Sequence, residues 1–151
     1  MDGRNPPEQA RSGHRTVPHT ADLRVEAWSP TAEGCIGELV SALVGSFADL
    51  SGAPILGERA CTVEAVSDPD LLVGVLEEVV YRMDADGELP VALTLEPIRG
   101  LDGARSLRVR FRMADAAGAV QIGAVPKAVS RHDLRLSAGP EGWTCGVTVD
   151  V

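Results

Sequence analysis

The sequence predicts an α/β (α+β) two-layer sandwich, in which two helices pack on a mainly antiparallel or mixed β-sheet. Three observations predict it. Two stretches carry apolar residues at three- and four-residue steps, four others alternate apolar with polar, and the order is βαβα followed by several strands. A chain of 151 residues with 44% hydrophobic residues suits one domain built on one core. Aromatics make up only 3%, so Val, Leu, Ile and Ala carry the packing.

Residues 1–15 hold Pro6, Pro7, Gly3 and Gly13 among charged side chains and show no periodicity. They are expected to form a disordered tail, leaving 16–151 as the folded domain. Residues 23–28 alternate, with Leu23, Val25 and Ala27 opposed to Arg24 and Glu26, the period of a half-buried strand. Thr31 is suited to cap a helix whose buried face is Ile36, Leu39, Val40, Leu43, Val44 and Phe47. Residues 59–66 alternate again. Asp68 and Pro69 then open a second helix, with Leu72, Val75, Leu76, Val79, Val80 and Met83 as its apolar stripe and a stop near Asp86 and Gly87. The remainder reads as strands at 91–96, 106–113, 120–125, 128–136 and 143–151, with turns at 100–103 and 139–142.

Composition narrows the function classes. No apolar run approaches the length of a membrane span and residues 1–15 lack the apolar stretch of a signal peptide, so the chain is expected in the cytoplasm and away from membranes. Cys35, Cys61 and Cys145 lie far apart without metal or redox spacing, and read as small buried hydrophobes. A formal charge of −8 opposes extensive contact with a phosphate backbone. Arg105, Arg108, Arg110 and Arg112 put positive charge along one side of a strand whose other side is Leu107, Val109, Phe111 and Met113. That pattern is a solvated face, or, if it stands beside a metal site, a contact for RNA phosphate or an acidic partner.

Three segments hold the chemistry. His19 and Asp22 stand three residues apart just before the first strand, where each has an ordinary structural reading in a turn. In the last strand Trp143, Cys145, Val147, Val149 and Val151 share one side, which leaves Asp150 on the other. If the first and last strands are neighbours, Asp22 and Asp150 converge on a hard divalent cation, for which oxygen ligands and retained waters are the expected chemistry. Lys127 and His132 form the third segment; a lysine at a strand start usually reaches into water, and a lone histidine is more often structural.

Together these residues resemble the archease family. The resemblance rests on His19-Thr20-Ala21-Asp22, the helix opening at 31–33, the second helix with Glu77, Glu78 and Tyr81, the segment Lys127-Ala128-Val129-Ser130-Arg131-His132, and the final Val149-Asp150-Val151. It implies an archease-like two-layer sandwich that binds a divalent metal ion (Mg, Mn or Ca) through Asp22 and Asp150. It also implies that Lys127 is needed for activity and that His19 and His132 support the site. The function implied is non-enzymatic: an accessory protein that promotes guanylylation and multiple turnover of an RtcB-type RNA ligase in tRNA splicing or RNA repair. GTP is bound at the partner's site and RNA is met only indirectly. The chain departs from the family pattern in lacking a Gly-Glu pair after the central strand and a histidine before Lys127, and in carrying Pro126 and Arg131. The alternatives are a stand-alone metal-dependent phosphoesterase using Asp22, Asp150 and Lys127, and a diverged binding or chaperone-like module.

Overall fold

The computed structural model describes residues 11–18 and 22–151. The first amphipathic segment forms α1 (Ala32–Phe47). Thr31 caps it as expected, its hydroxyl accepting from the Gly34 amide at 3.0 Å. The Glu33 carboxylate in the first turn accepts from the Ile98 amide at 2.8 Å and so ties the helix start to a distant loop. The second segment forms α2 (Asp68–Asp86). Its cap is Ser67 rather than Asp68: the shorter hydroxyl accepts from the Asp70 amide at 3.3 Å, and Asp68 instead accepts from Arg105 Nε at 2.9 Å. Gly87 ends the helix at φ 66, a left-handed conformation that a residue with a Cβ enters at a cost.

The strands are β1 (Gly13–Pro18), β2 (Asp22–Ser29), β3 (Ala48–Asp49), β4 (Ile55–Ala65), β5 (Glu88–Leu95), β6 (Arg99–Leu101), β7 (Ala104–Asp115), β8 (Val120–Gln121), β9 (Ala128–Gly139) and β10 (Gly142–Asp150). They build two main sheets rather than one. The first has the order β1-β2-β10-β9; the second has the order β4-β7-β5, with β6 also on β7; β3 and β8 form a two-residue ladder. Every pairing is antiparallel. Both helices touch both sheets: α1 lies against β2, β10 and β5, and α2 lies against β9, β4, β5 and β7. The fold is therefore α+β, two helices packed against antiparallel sheets.

Alternation decides which side of each sheet meets the helices. On β7, Leu107, Val109, Phe111 and Met113 are buried while Arg108, Arg110 and Arg112 are exposed. On β10, Cys145, Val147 and Val149 are fully buried. These residues join Ile36, Leu39, Leu43, Leu72 and Leu76 of the helices in one cluster. Each large aliphatic side chain there contributes roughly 1.5–3 kcal/mol by leaving water. Close approach of α2 to β4 depends on Gly74, where an added Cβ would stand 2.4 Å from Val63 Cγ1.

Two expectations shift. Residues 13–15, assigned to the tail, pair in β1 with residues 26–28 of β2. Their strand was hidden because His14, Arg15 and Thr16 are all exposed, so no apolar alternation marks it. Backbone pairing together with Arg15 on Glu26 (2.7 Å) and His14 Nδ1 beside Glu38 (3.2 Å) holds it. The strand expected at 120–125 is reduced to Val120 and Gln121, after which the chain runs irregularly to Lys127. Residues 1–10 of the expected tail lie outside the described residues.

Candidate metal centre on the first sheet

β2 and β10 are hydrogen-bonded neighbours, and their register sets Asp22 directly opposite Asp150. The first and last strands of the domain's sequence pattern therefore meet. Because Val25, Ala27, Val147 and Val149 are buried, the alternating positions Asp22, Arg24, Asp150 and Thr148 point to the outer side of the sheet. Directly opposed residues on one side have Cβ atoms about 4.5–5.5 Å apart, and like charges in that relation destabilise the pair. Among the described residues neither carboxylate has an ion-pair partner.

The nearest guanidinium on the same side belongs to Arg24, and it is turned away. Arg24 donates to Thr148 Oγ1 at 3.3 Å, lies 3.5 Å from Glu26 and covers Gly146, where a Cβ would stand 2.2 Å from Arg24 Nη2. Arg24 and Gly146 were not singled out in the sequence. A glycine inside a strand pattern is the signal that could have found them, because it marks close approach of another group. Glu26 receives Arg15 and Arg24 together, and the hydrogen bond from Arg15 holds its carboxyl below the usual 4.5.

Lys127 joins through its backbone. Its amide donates to the Asp150 carbonyl at 2.8 Å, next to the Ala128–Asp150 register pair. The exposed amine has no carboxylate within ion-pairing distance among the described residues. Pro126 precedes the strand and is buried, so its missing amide removes no ladder bond.

His132 is not brought to the carboxylates. The β9–β10 register passes from Ser130 opposite Thr148 to Arg135 opposite Gly146, which leaves residues 131–134 as a bulge. Asp133 adopts φ 54 there, and His132, 79% exposed at its side chain, sets Nε2 3.2 Å from Asp133 Oδ2. Arg131 reaches back to Asp70 on α2. His19 lies outside the described residues. No cluster of three or more His, Cys, Asp or Glu suited to a metal is found among the described residues. Two opposed carboxylates without a counter-cation nevertheless suit a hard divalent ion that keeps several waters.

Arg108, Arg110 and Arg112 stand on the second sheet, away from this pair, whereas Arg105, expected beside them, has the opposite strand parity and bonds Asp68 of α2 at 2.9 Å. Arg108 meets Glu96 at 3.3 Å and Arg110 meets Glu58 at 3.7 Å, the solvated face that the alternation predicts. No helix among the described residues is long and apolar enough to cross a membrane.

Comparison with known proteins identifies the family. Residues 14–151 match the Archease protein family model. Probable archeases of two Mycobacterium tuberculosis strains are 54% identical over 140 residues, covering 93% of this chain and 75% of theirs. The solution structure of protein 1598 of Methanobacterium thermoautotrophicum has a TM-score of 0.76 at 18% identity, over 92% of this chain and 99% of that one. The crystal structure of a Thermotoga maritima archease, described as a possible chaperone, has a TM-score of 0.53 at 18% identity, over 91% and 96%. The chain belongs to the archease family.

Proposed function

We propose that this chain is a metal-binding, non-enzymatic accessory protein that promotes guanylylation and multiple turnover of an RtcB-type RNA ligase. The observation that carries the reading is the register of Asp22 on Asp150, with Lys127 held to the same strand end through the Asp150 carbonyl. Asp22 and Asp150 would hold a divalent ion (Mg, Mn or Ca) and Lys127 would meet negative charge beside it. When bound, the ion supplies charge neutralisation for phosphate oxygens. The chain's own residues orient: β2 and β10 fix both carboxylates on rigid backbone, and the free amine of Lys127 complements an anionic group such as a nucleotide phosphate at the partner's site. RNA is met through the ligase, and the setting is the cytoplasm.

A self-contained phosphoesterase is disfavoured because the described residues offer neither a third acidic ligand nor a general base beside the pair. A chaperone-like binding module, the description attached to the Thermotoga protein, would need neither carboxylate. The test is single-turnover and multiple-turnover guanylylation of an RtcB-type ligase with GTP, with and without this protein. Wild type is expected to accelerate the reaction, and Asp22→Ala, Asp150→Ala and Lys127→Ala are expected to remove the acceleration while the fold persists. Acceleration unaffected by all three substitutions would refute the assignment of the site, and no acceleration by wild type would refute the partner.

A further inference from the structure

The outer side of the first sheet carries a second feature at its other end. The register lays this side out in rows. Asp22–Asp150–Ala128 is one; Arg15–Glu26–Gly146–Arg135 comes two rows on; Trp28–Thr144–Ser137 follows it. From Asp22 to Trp28 is six residues of strand, about 20 Å. A cavity of about 680 Å³ opens there, with Trp28 and Arg15 along one side, Arg135 along the other, Thr144 between them and the turn at 139–142 as its rim. Its trough shape follows from the sequence, since the central strand presents only Thr144 and Gly146 outward while its neighbours present large side chains. The volume falls within the range of sites that enclose small ligands, about 300–1,000 Å³.

The lining has a definite chemistry. Trp143 also borders the cavity, but by alternation it shares the core-facing side of β10 with Cys145 and packs against the core. The Trp28 indole leans over Gly13, where a Cβ would stand 2.4 Å from Cζ2, and this supports the ring from β1. Arg15 is spent on Glu26 at 2.7 Å. Arg135 is exposed and has no carboxylate within ion-pairing distance among the described residues. One indole and one guanidinium without an ion-pair partner among the described residues thus line one trough, which Glu26 and Glu141 also border. Two strand spacings and one row separate their backbones, about 12 Å.

We propose that this cavity is a nucleotide site, with the base stacked on Trp28 and the 5′-phosphate on Arg135. It takes a single nucleotide rather than a length of RNA backbone, because the chain's net charge of −8 and the pairing of Arg15 leave Arg135 as the one unpaired cation at the trough among the described residues. Stacking on an indole tolerates any base, and a guanidinium binds a terminal phosphate through paired hydrogen bonds. The nucleotide is either free or the phosphorylated end of an RNA strand. The site lies about 20 Å of strand from Asp22 and does not depend on the metal pair or on a ligase.

Trp28 provides the readout. Intrinsic fluorescence, excited beyond nucleotide absorption, is followed while the full chain is titrated with AMP, adenosine, inorganic phosphate and 5′-phosphorylated tetra-adenylate. AMP is expected to quench saturably, and adenosine to bind about ten-fold more weakly. Arg135→Ala, on an exposed position of an edge strand, should lower AMP affinity to that of adenosine. By equilibrium dialysis Trp28→Leu should show no saturable AMP binding, and Asp22→Ala should bind as wild type does. Tighter binding of the tetra-adenylate than of AMP assigns the site to RNA ends, and equal binding assigns it to free nucleotides. No saturable response to either, or AMP affinity unchanged by Arg135→Ala, overturns the proposal.

Discussion

Replacing Asp22 by Asn should change the sign of its effect on stability when a divalent ion is added. Asp22 and Asp150 are directly opposed on β2 and β10, so their Cβ atoms stand about 5 Å apart, and two charges at that spacing repel by roughly 0.8 kcal/mol in water before screening. At physiological salt the Debye length is about 8 Å, which lowers the repulsion to about 0.5 kcal/mol. With chelator present, Asp22→Asn is therefore expected to melt about 1–2 °C above wild type, by the usual conversion for a domain of this size. With an ion at about 100 times its dissociation constant, wild type gains about 2.7 kcal/mol by mass action, or about 5–11 °C, and the variant gains little. The order of the melting temperatures inverts. Circular dichroism melts in EDTA and in millimolar Mg²⁺, Mn²⁺ or Ca²⁺ measure it directly. A variant that melts below wild type in EDTA refutes the repulsion, and a wild-type melting temperature indifferent to all three ions refutes the cation.

Phe111→Ala removes the largest fully buried side chain from β7, and by analogy with other core truncations should cost about 3–5 kcal/mol in urea unfolding. Gly74→Ala should destabilise despite its better helix propensity, because its Cβ meets Val63 at 2.4 Å; adding Val63→Ala should recover part of the loss, a coupling that a double-mutant cycle reads. Glu26 is held below its ordinary value by Arg15, so its contribution to stability is present above about pH 4.5 and is lost as the pH falls through the lower folded value. Arg15→Gln should flatten the acid limb of a stability–pH curve in that window.

The sequence makes the buried part of this fold legible and the exposed part much less so. Alternation marks β2, β4, β7 and β10 because each buries one side, and three-to-four periodicity marks both helices for the same reason. β1 escapes because it buries nothing at His14, Arg15 or Thr16, and its place is decided by backbone pairing and ion pairs. Division into two sheets also escapes, since alternation says which side of a strand is wet but not which strand lies beside it. The β9 bulge is of the same kind: residues 131–134 read as continuous strand, and only the partner strand reveals the register jump that carries His132 out to solvent. At the site, the parity of Asp150 is legible from Cys145, Val147 and Val149, whereas its apposition to Asp22 needs the neighbour relation between distant strands. The resemblance to the archease family implied that relation; periodicity alone left it conditional.

The apposition is also tied to the core. β10 lies between β2 and β9, and Val147 and Val149 have no exposed surface. A slip of one residue would turn both valines to water and Asp150 inward, losing roughly 1.5–3 kcal/mol for each valine and burying a charge. The carboxylate pair is thus held in place by apolar residues that never touch a ligand, and it cannot rearrange without disturbing the helices. Lys127 is placed differently. Its position comes from an amide bond to the Asp150 carbonyl, which Lys127→Ala keeps and Lys127→Pro removes. If the amine itself serves the partner, both substitutions should abolish ligase activation, while Lys127→Ala alone leaves metal-dependent stabilisation at the wild-type level. Full activation by Lys127→Ala would show that the backbone, and not the charge, is what this residue contributes.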